Sequence, residues 1–152
     1  MTIHRPMTLY DVAGGADRIT AMTTEFNERA VVDPLLSPLF TNGDADHAKY
    51  LAGWFSVIFG GPQEYLTERG SLRFVIWKHV SMHITDAQRA RWVNLMRDAA
   101  ARVQIDERFL APFDRFIDTV SRDVQANSHV PKEELRARLG IKDQGPGVQS
   151  QP

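Results

Sequence analysis

The run Lys78-His79-Val80-Ser81-Met82-His83-Ile84-Thr85, followed within two helical turns by Trp92, carries the most evident chemistry of this 152-residue chain. Thr85 with Gln88 three residues later reads as a capping box, so a helix starts there and His79 lies on the segment just before it. A neutral imidazole can hold a metal, a haem iron included, from one side. An indole on the adjoining helix can close the pocket and donate its N–H to a ligand on the other. Both groups need an apolar cavity between helices. A histidine ahead of a helix is more often a surface or hydrogen-bonded core residue, so the reading rests on what surrounds it. His79-x-x-x-His83 could also set two imidazoles on one helical face for zinc, but no carboxylate or further histidine follows at a recognised ligand spacing.

The chain that must position these groups is one domain's worth of sequence, with 43% hydrophobic and 24% charged residues. That is enough to bury a sizeable core. A formal charge of -1 gives no electrostatic footprint for nucleic acid or an anionic membrane. The absence of cysteine excludes disulfides, thiolate metal sites and a cysteine nucleophile. No segment approaches the roughly 20 apolar residues of a membrane span, and the amino terminus lacks a signal-peptide core. The expected location is cytoplasmic.

Strand patterns are missing, and the class read from the sequence is all-α. Leu9 to Ala13 makes a short helical turn halted by Gly14-Gly15, and Ala16 to about Val31 forms an amphipathic helix through Ile19, Met22, Phe26 and Ala30. Asp33-Pro34 starts another short helix carrying Leu35, Leu36, Leu39 and Phe40, which Asn42-Gly43 ends. Asp44 can cap the next helix, whose stripe is His47, Tyr50, Leu51, Trp54, Phe55 and Ile58, and Gly60-Gly61-Pro62 stops it. His47, taken alone, is a polar residue at the first turn of an apolar face. Gln63 to Lys78 reads as a long excursion with at most a short helix, and such connections often border a binding site. From Thr85 a helix presents Trp92, Met96, Ala99 and Val103. A last long helix carries Phe109, Phe113, Phe116, Ile117, Val120 and Val124, starting near Ala111 or kinked at Pro112. The expected organisation is a flexible segment over 1–7, a domain over 8–128, and an extension over 129–152. That extension holds a short helix from Pro131 to Leu139 and a disordered tail from Lys142.

In order, the pieces Tyr10-Asp11 with Gly14-Gly15, Asp33-Pro34-Leu35-Leu36-Ser37-Pro38-Leu39-Phe40, Gly60-Gly61-Pro62 with Glu68-Arg69-Gly70, Lys78-His79 with Ile84, and Arg91-Trp92 with Met96 resemble the truncated haemoglobins, specifically group II. The resemblance spans roughly Thr8 to Val124. It implies a globin-like, truncated two-over-two helical sandwich enclosing haem b. His79 then matches the proximal iron ligand, with Lys78 beside a haem propionate and Arg73 as a second candidate for one. Phe40 matches the aromatic on the haem face. Tyr50, Leu51, Trp54, Trp92 and Met96 line the cofactor's cavity, and Asn27, His47 and Trp92 form the distal side that would stabilise a ligand.

Two departures stand out. Many family members carry tyrosine after the phenylalanine of the second helix, whereas Phe26 is followed here by the shorter Asn27. The segment Arg73-Phe74-Val75-Ile76-Trp77-Lys78 is also more apolar than the family's arginine-rich version. The implied function is binding of O2, CO or NO at haem iron, either for oxygen binding and transport or for redox chemistry on the ligand. The chain shows no glycine-rich dinucleotide motif and has no room for a flavin domain, so turnover would need an external reductase. The expected state is a monomer or a homodimer. The competing reading is a haem-free helical sensor or interaction module, against which the joint presence of His79 and Trp92 argues.

Overall fold

The computed structural model describes residues 6–40 and 46–140, and these residues form helices joined by turns, with no strand among them. Helix α1, Leu9–Ala13, opens with a complete capping box between Thr8 and Asp11, and Gly14 ends it at φ 106°, a left-handed conformation that costs glycine nothing. Helix α2, Gly15–Ala30, follows at once and buries Ile19, Met22, Phe26 and Ala30. The Asp33 carboxylate accepts the Leu35 and Leu36 N–H groups at 3.1 Å each, as an N-cap would. What it starts is a turn and then a 3-10 helix, Ser37–Phe40, rather than the expected α-helix, because Pro38 has no N–H to continue an α-helical ladder. Asn42-Gly43 and Asp44 lie outside the described residues.

Helix α3 is His47–Ile58 and buries Ala52, Trp54 and Phe55. At its end the Tyr10 N–H donates to the Phe59 carbonyl at 2.9 Å, and a Cβ at Gly61 would lie 2.5 Å from the Tyr10 ring. The second diglycine is therefore a seat for α1. The excursion after it contains two helices, α4 (Glu64–Arg69) and α5 (Phe74–Lys78), where the sequence suggested at most one. The second of them owes its stability to contacts remote in sequence. Phe74 and Trp77 of α5 bury against Leu135 of α8, Lys132–Leu139. The Lys132 and Arg136 cations stand 5.6 and 5.5 Å from the Trp77 ring, within cation–π range.

Helix α6, Asp86–Arg102, has the capping box expected of Thr85 and Gln88. Helix α7, Glu107–Ser128, starts ahead of Ala111, because the Asp106 side chain caps it and Pro112 is accommodated inside. Phe109, fully buried and stacked on Phe113 at 4.8 Å, anchors that first turn. This packing offsets the roughly 3 kcal/mol an interior proline costs. Helix α2 packs on α3 and on α6, and α6 packs on α7, so one pair lies over the other. Between the pairs, Phe55, Phe59, Phe109 and Phe113 meet edge-on or stacked at 4.8–5.9 Å. The Arg29–Asp98 and Glu25–Arg102 ion pairs tie α2 to α6 at the rim. The expected helix of the extension is α8; residues 1–5 of the amino-terminal segment and the whole tail from Lys142 fall outside the described residues.

Candidate functional site

Phe74–Lys78 forms a helix short enough that His79, its C-cap, sits one turn beyond Val75. The imidazole turns back along that helix, with Nδ1 2.6 Å from the Val75 carbonyl oxygen. A carbonyl only accepts, so Nδ1 carries the proton and the lone pair is left on Nε2. Burial pushes the His79 pKa below the ordinary value and the neighbouring Lys78 charge lowers it further, while the bond to Val75 works the other way. The outcome is a neutral imidazole in one tautomer with its ring orientation fixed. This is the state in which histidine binds a metal, and the carbonyl partner raises its basicity as a ligand.

A second polar group assembles where α2 meets the start of α3. The His47 Nδ1–H donates to Asn27 Oδ1 at 3.0 Å. The Phe40 ring packs edge-on against the His47 ring, with centroids 5.1 Å apart. Next to Asn27, Phe26 meets the Trp92 indole edge-on at 5.7 Å, which brings α6 to the same end of α2. Asn27, Phe40, His47 and Trp92 are therefore linked, through Phe26, in one half-buried cluster. The tautomer that serves Asn27 puts the lone pair of His47 on Nε2. The groups here that donate whatever the histidine tautomer are the Trp92 indole N–H and the Asn27 amide.

The remaining candidates occupy three settings. Leu51 packs, half-buried, on the main core, and Met96 is fully enclosed in it. Trp54 is buried against Phe116 at 5.4 Å and donates its indole N–H to the Leu72 carbonyl at 3.2 Å, holding the approach to α5. Tyr50 lies under the Arg69 guanidinium, 3.6 Å from the ring centre, and the same guanidinium is 5.2 Å from Phe74. Lys78 ends α5. Arg73 gives one guanidinium N–H to the Leu139 carbonyl at 3.3 Å, so α8 engages a donor that the resemblance assigns to a propionate.

His79 and His83 do not share a helical face. The first caps α5 and the second lies in the following loop at φ 49°. Two parts of the site were not read from the sequence, namely the Val75 carbonyl and the Arg69 clamp over Tyr50. The first becomes readable only once Val75 and His79 are known to lie on one helix, four residues apart.

Two stacked helix pairs with a neutral, oriented histidine on the short helix between them define a globin of the truncated, two-over-two class. The chain belongs to the bacterial-like globin family, whose model matches residues 8–124. Membership implies a haem-binding globin. Among solved structures, the haemoglobin of the thermophilic phototrophic bacterium Chloroflexus aurantiacus superimposes with a TM-score of 0.73 at 21% identity, covering 78% of this chain and 98% of that one. The thermostable haemoglobin of the actinobacterium Thermobifida fusca gives 0.71 at 24% identity, with coverage of 78% and 96%. The group II truncated haemoglobin of Bacillus anthracis gives 0.70 at 21% identity, with coverage of 84% and 95%. At these identities the likeness is one of fold. A search of curated proteins returns no match. No helix among the described residues is long and apolar enough to cross a membrane.

Proposed function

We propose that the protein binds one haem b through His79 Nε2 and takes up O2, and with it CO or NO, at the iron. The observation that carries this is the 2.6 Å bond from His79 Nδ1–H to the Val75 carbonyl. It fixes a neutral imidazole as a ligand needs to be fixed, with the Nε2 lone pair left for an iron. Haem, when bound, would supply an iron able to take the His79 imidazole and a diatomic gas. The chain supplies the rest. Phe40, Leu51, Trp54 and Met96 provide apolar wall, and Tyr50 with its Arg69 cover closes one edge against water. Lys78 and Arg73 bracket α5 as cations for two propionates. Trp92 and Asn27 carry the N–H groups for a polar ligand, with His47 orienting Asn27 through the 3.0 Å bond. A solved relative of similar fold is described as the truncated oxygen-avid haemoglobin of Bacillus subtilis, which favours O2 as the ligand. Any turnover would draw electrons from an external reductase.

The test is the visible spectrum of the purified protein, oxidised and reduced, with and without CO. A Soret band that shifts on reduction and again with CO is expected, and His79→Ala should alter all three spectra. Spectra of His79→Ala that coincide with those of the wild type would show that another group holds the iron.

A further inference from the structure

Outside that site, the loop after α5 brings a second pair of imidazoles together. His83 and His129 lie 46 residues apart in sequence, yet their Nδ1 atoms stand 3.4 Å from each other, with ring centroids at 5.4 Å and planes at 65°. Both ends of the pair are fixed by backbone. His129 donates Nε2–H to the Ile84 carbonyl at 2.8 Å, so its Nδ1 carries the lone pair. His83 is held at φ 49° while its N–H donates to the Ser128 carbonyl at 3.2 Å.

A separation of 3.4 Å is long for a hydrogen bond, N–H···O bonds centring at about 2.9–3.0 Å. It suits a shared ion: two nitrogens about 2.0–2.1 Å from one tetrahedral metal stand roughly 3.3–3.4 Å apart. The bond from His129 Nε2–H to a carbonyl is the outer-shell partner that metal-ligating histidines use. Both rings are exposed, so water can complete the coordination, and among the described residues no third histidine or carboxylate joins them.

We infer that His83 and His129 form a surface two-histidine site for a borderline divalent cation of the zinc, nickel or copper class, bound through both Nδ1 atoms. Hard cations such as magnesium and calcium are disfavoured, because the site offers nitrogen where they require oxygen. The bound ion would join the loop that follows His79 to the end of α7. On binding, the His83 ring takes the tautomer with its proton on Nε2, so that Nδ1 offers its lone pair and the imidazole stays neutral.

The experiment is isothermal titration of the full-length protein, as purified with its cofactor, with Zn2+ alone in a non-coordinating buffer. It is repeated on His83→Gln and His129→Gln, with circular dichroism confirming that each is folded. His129→Gln keeps an N–H able to reach the Ile84 carbonyl. The wild type should bind one equivalent of Zn2+ in an event that is lost, or weakened at least about tenfold, in each variant, since even an outer-shell partner is worth about 10- to 100-fold in affinity. The wild-type melting temperature should rise with Zn2+ and that of the variants should not. No binding by the wild type, or binding that persists undiminished in either variant, overturns the assignment.

Discussion

Ser128 is the residue whose removal tests most directly how the segment after His79 is held. It is fully buried at the end of α7, and its hydroxyl accepts the Ile84 N–H at 3.0 Å while donating to the Gln125 carbonyl at 2.6 Å. Its own carbonyl accepts the His83 N–H. Ser128→Ala leaves that last bond intact but orphans the N–H of Ile84, a residue only 7% exposed. An unsatisfied buried donor costs about 1–3 kcal/mol, and no compensating apolar contact is gained from one missing oxygen. For a chain of this size, each kcal/mol moves the melting temperature by about 2–4 °C. The loop it anchors already contains Ser81 and His83 at φ 63° and 49°, conformations that cost non-glycine residues on the order of 1 kcal/mol or more unless neighbours hold them. Two effects should therefore appear together: a loss of about 1–3 kcal/mol in denaturant unfolding, and faster amide exchange at His83 and Ile84. Thr23→Val is the control. Thr23 is as deeply buried, but its hydroxyl only donates to the Thr20 carbonyl, so no N–H is orphaned and the cost should stay near 0.5 kcal/mol or below. Equal losses for the two variants, or unchanged exchange at Ile84, would refute the idea that this hydroxyl pins the loop.

Leu135→Ala should cost about 2 kcal/mol, the lower end for a buried leucine because α8 packs on one side only, and limited proteolysis should then cut within α8 before the core melts. Burial pushes the Tyr65 phenol up to about 12, with Arg69 opposing. The folded state thus holds that proton more tightly than an unfolded tyrosine of pKa about 10, and its contribution, on the order of 2 kcal/mol, is complete below pH ~10 and lost as pH rises through ~12. Tyr65→Phe should flatten that alkaline limb of the stability profile. Gly61→Ala would drive a methyl into the Tyr10 ring and should cost about 1–3 kcal/mol in thermal unfolding, most of which Tyr10→Ala in the same chain should mask. In the haem-loaded protein, Trp92→Phe keeps a ring for Phe26 but removes the indole N–H. O2 release, followed by stopped flow, should accelerate about ten- to a hundredfold with little change for CO, and an unchanged rate would transfer the role to Asn27.

The parts of the fold legible in the sequence are those whose signals are local. The capping box at Thr85 and Gln88, the diglycine after α1 and the apolar period of α2 each specify their element from within a few residues. The places where the reading fell short share a different physics. Helix α5 has a single turn of its own and persists because Phe74 and Trp77 meet Leu135, some 60 residues away, a contact no local period carries. Pro112 leaves the start of α7 open between Ala111 and an earlier, kinked turn, and the burial of Phe109 against Phe59 decides for the earlier one. Around the candidate site, the resemblance supplies residues and not their pairing. Asn27 and His47 were both named as polar groups of one pocket, but that the histidine spends its Nδ1–H on the asparagine is a property of how α2 crosses α3.

That dependence on remote contacts bears on how His79 is controlled. The Val75 carbonyl can orient the imidazole only while α5 is helical through the turn they share, and α5 has five residues. A helix of that length is not stable alone, since nucleation costs more than one turn returns. Its order must come from outside: from Leu135 under Trp77, from Arg73 on the Leu139 carbonyl, and from the Arg69 guanidinium that spans Tyr50 and Phe74. Two of these three supports come from α8, which lies beyond the 8–124 segment matched by the family model. Loosening α8 can therefore disturb the imidazole: it frays α5, releases Nδ1–H from Val75 and lets the His79 ring rotate out of the orientation a ligand needs. Leu135→Ala and Trp77→Ala should accordingly raise the rate of haem loss to apomyoglobin together, whereas Arg73→Ala removes both the exposed bond to Leu139 and the cation proposed for a propionate and so does not isolate α8. Haem-transfer rates unchanged in the first two variants would mean that α5 is held without α8, by its packing on α7 and through Arg69 and the Trp54 bond to Leu72.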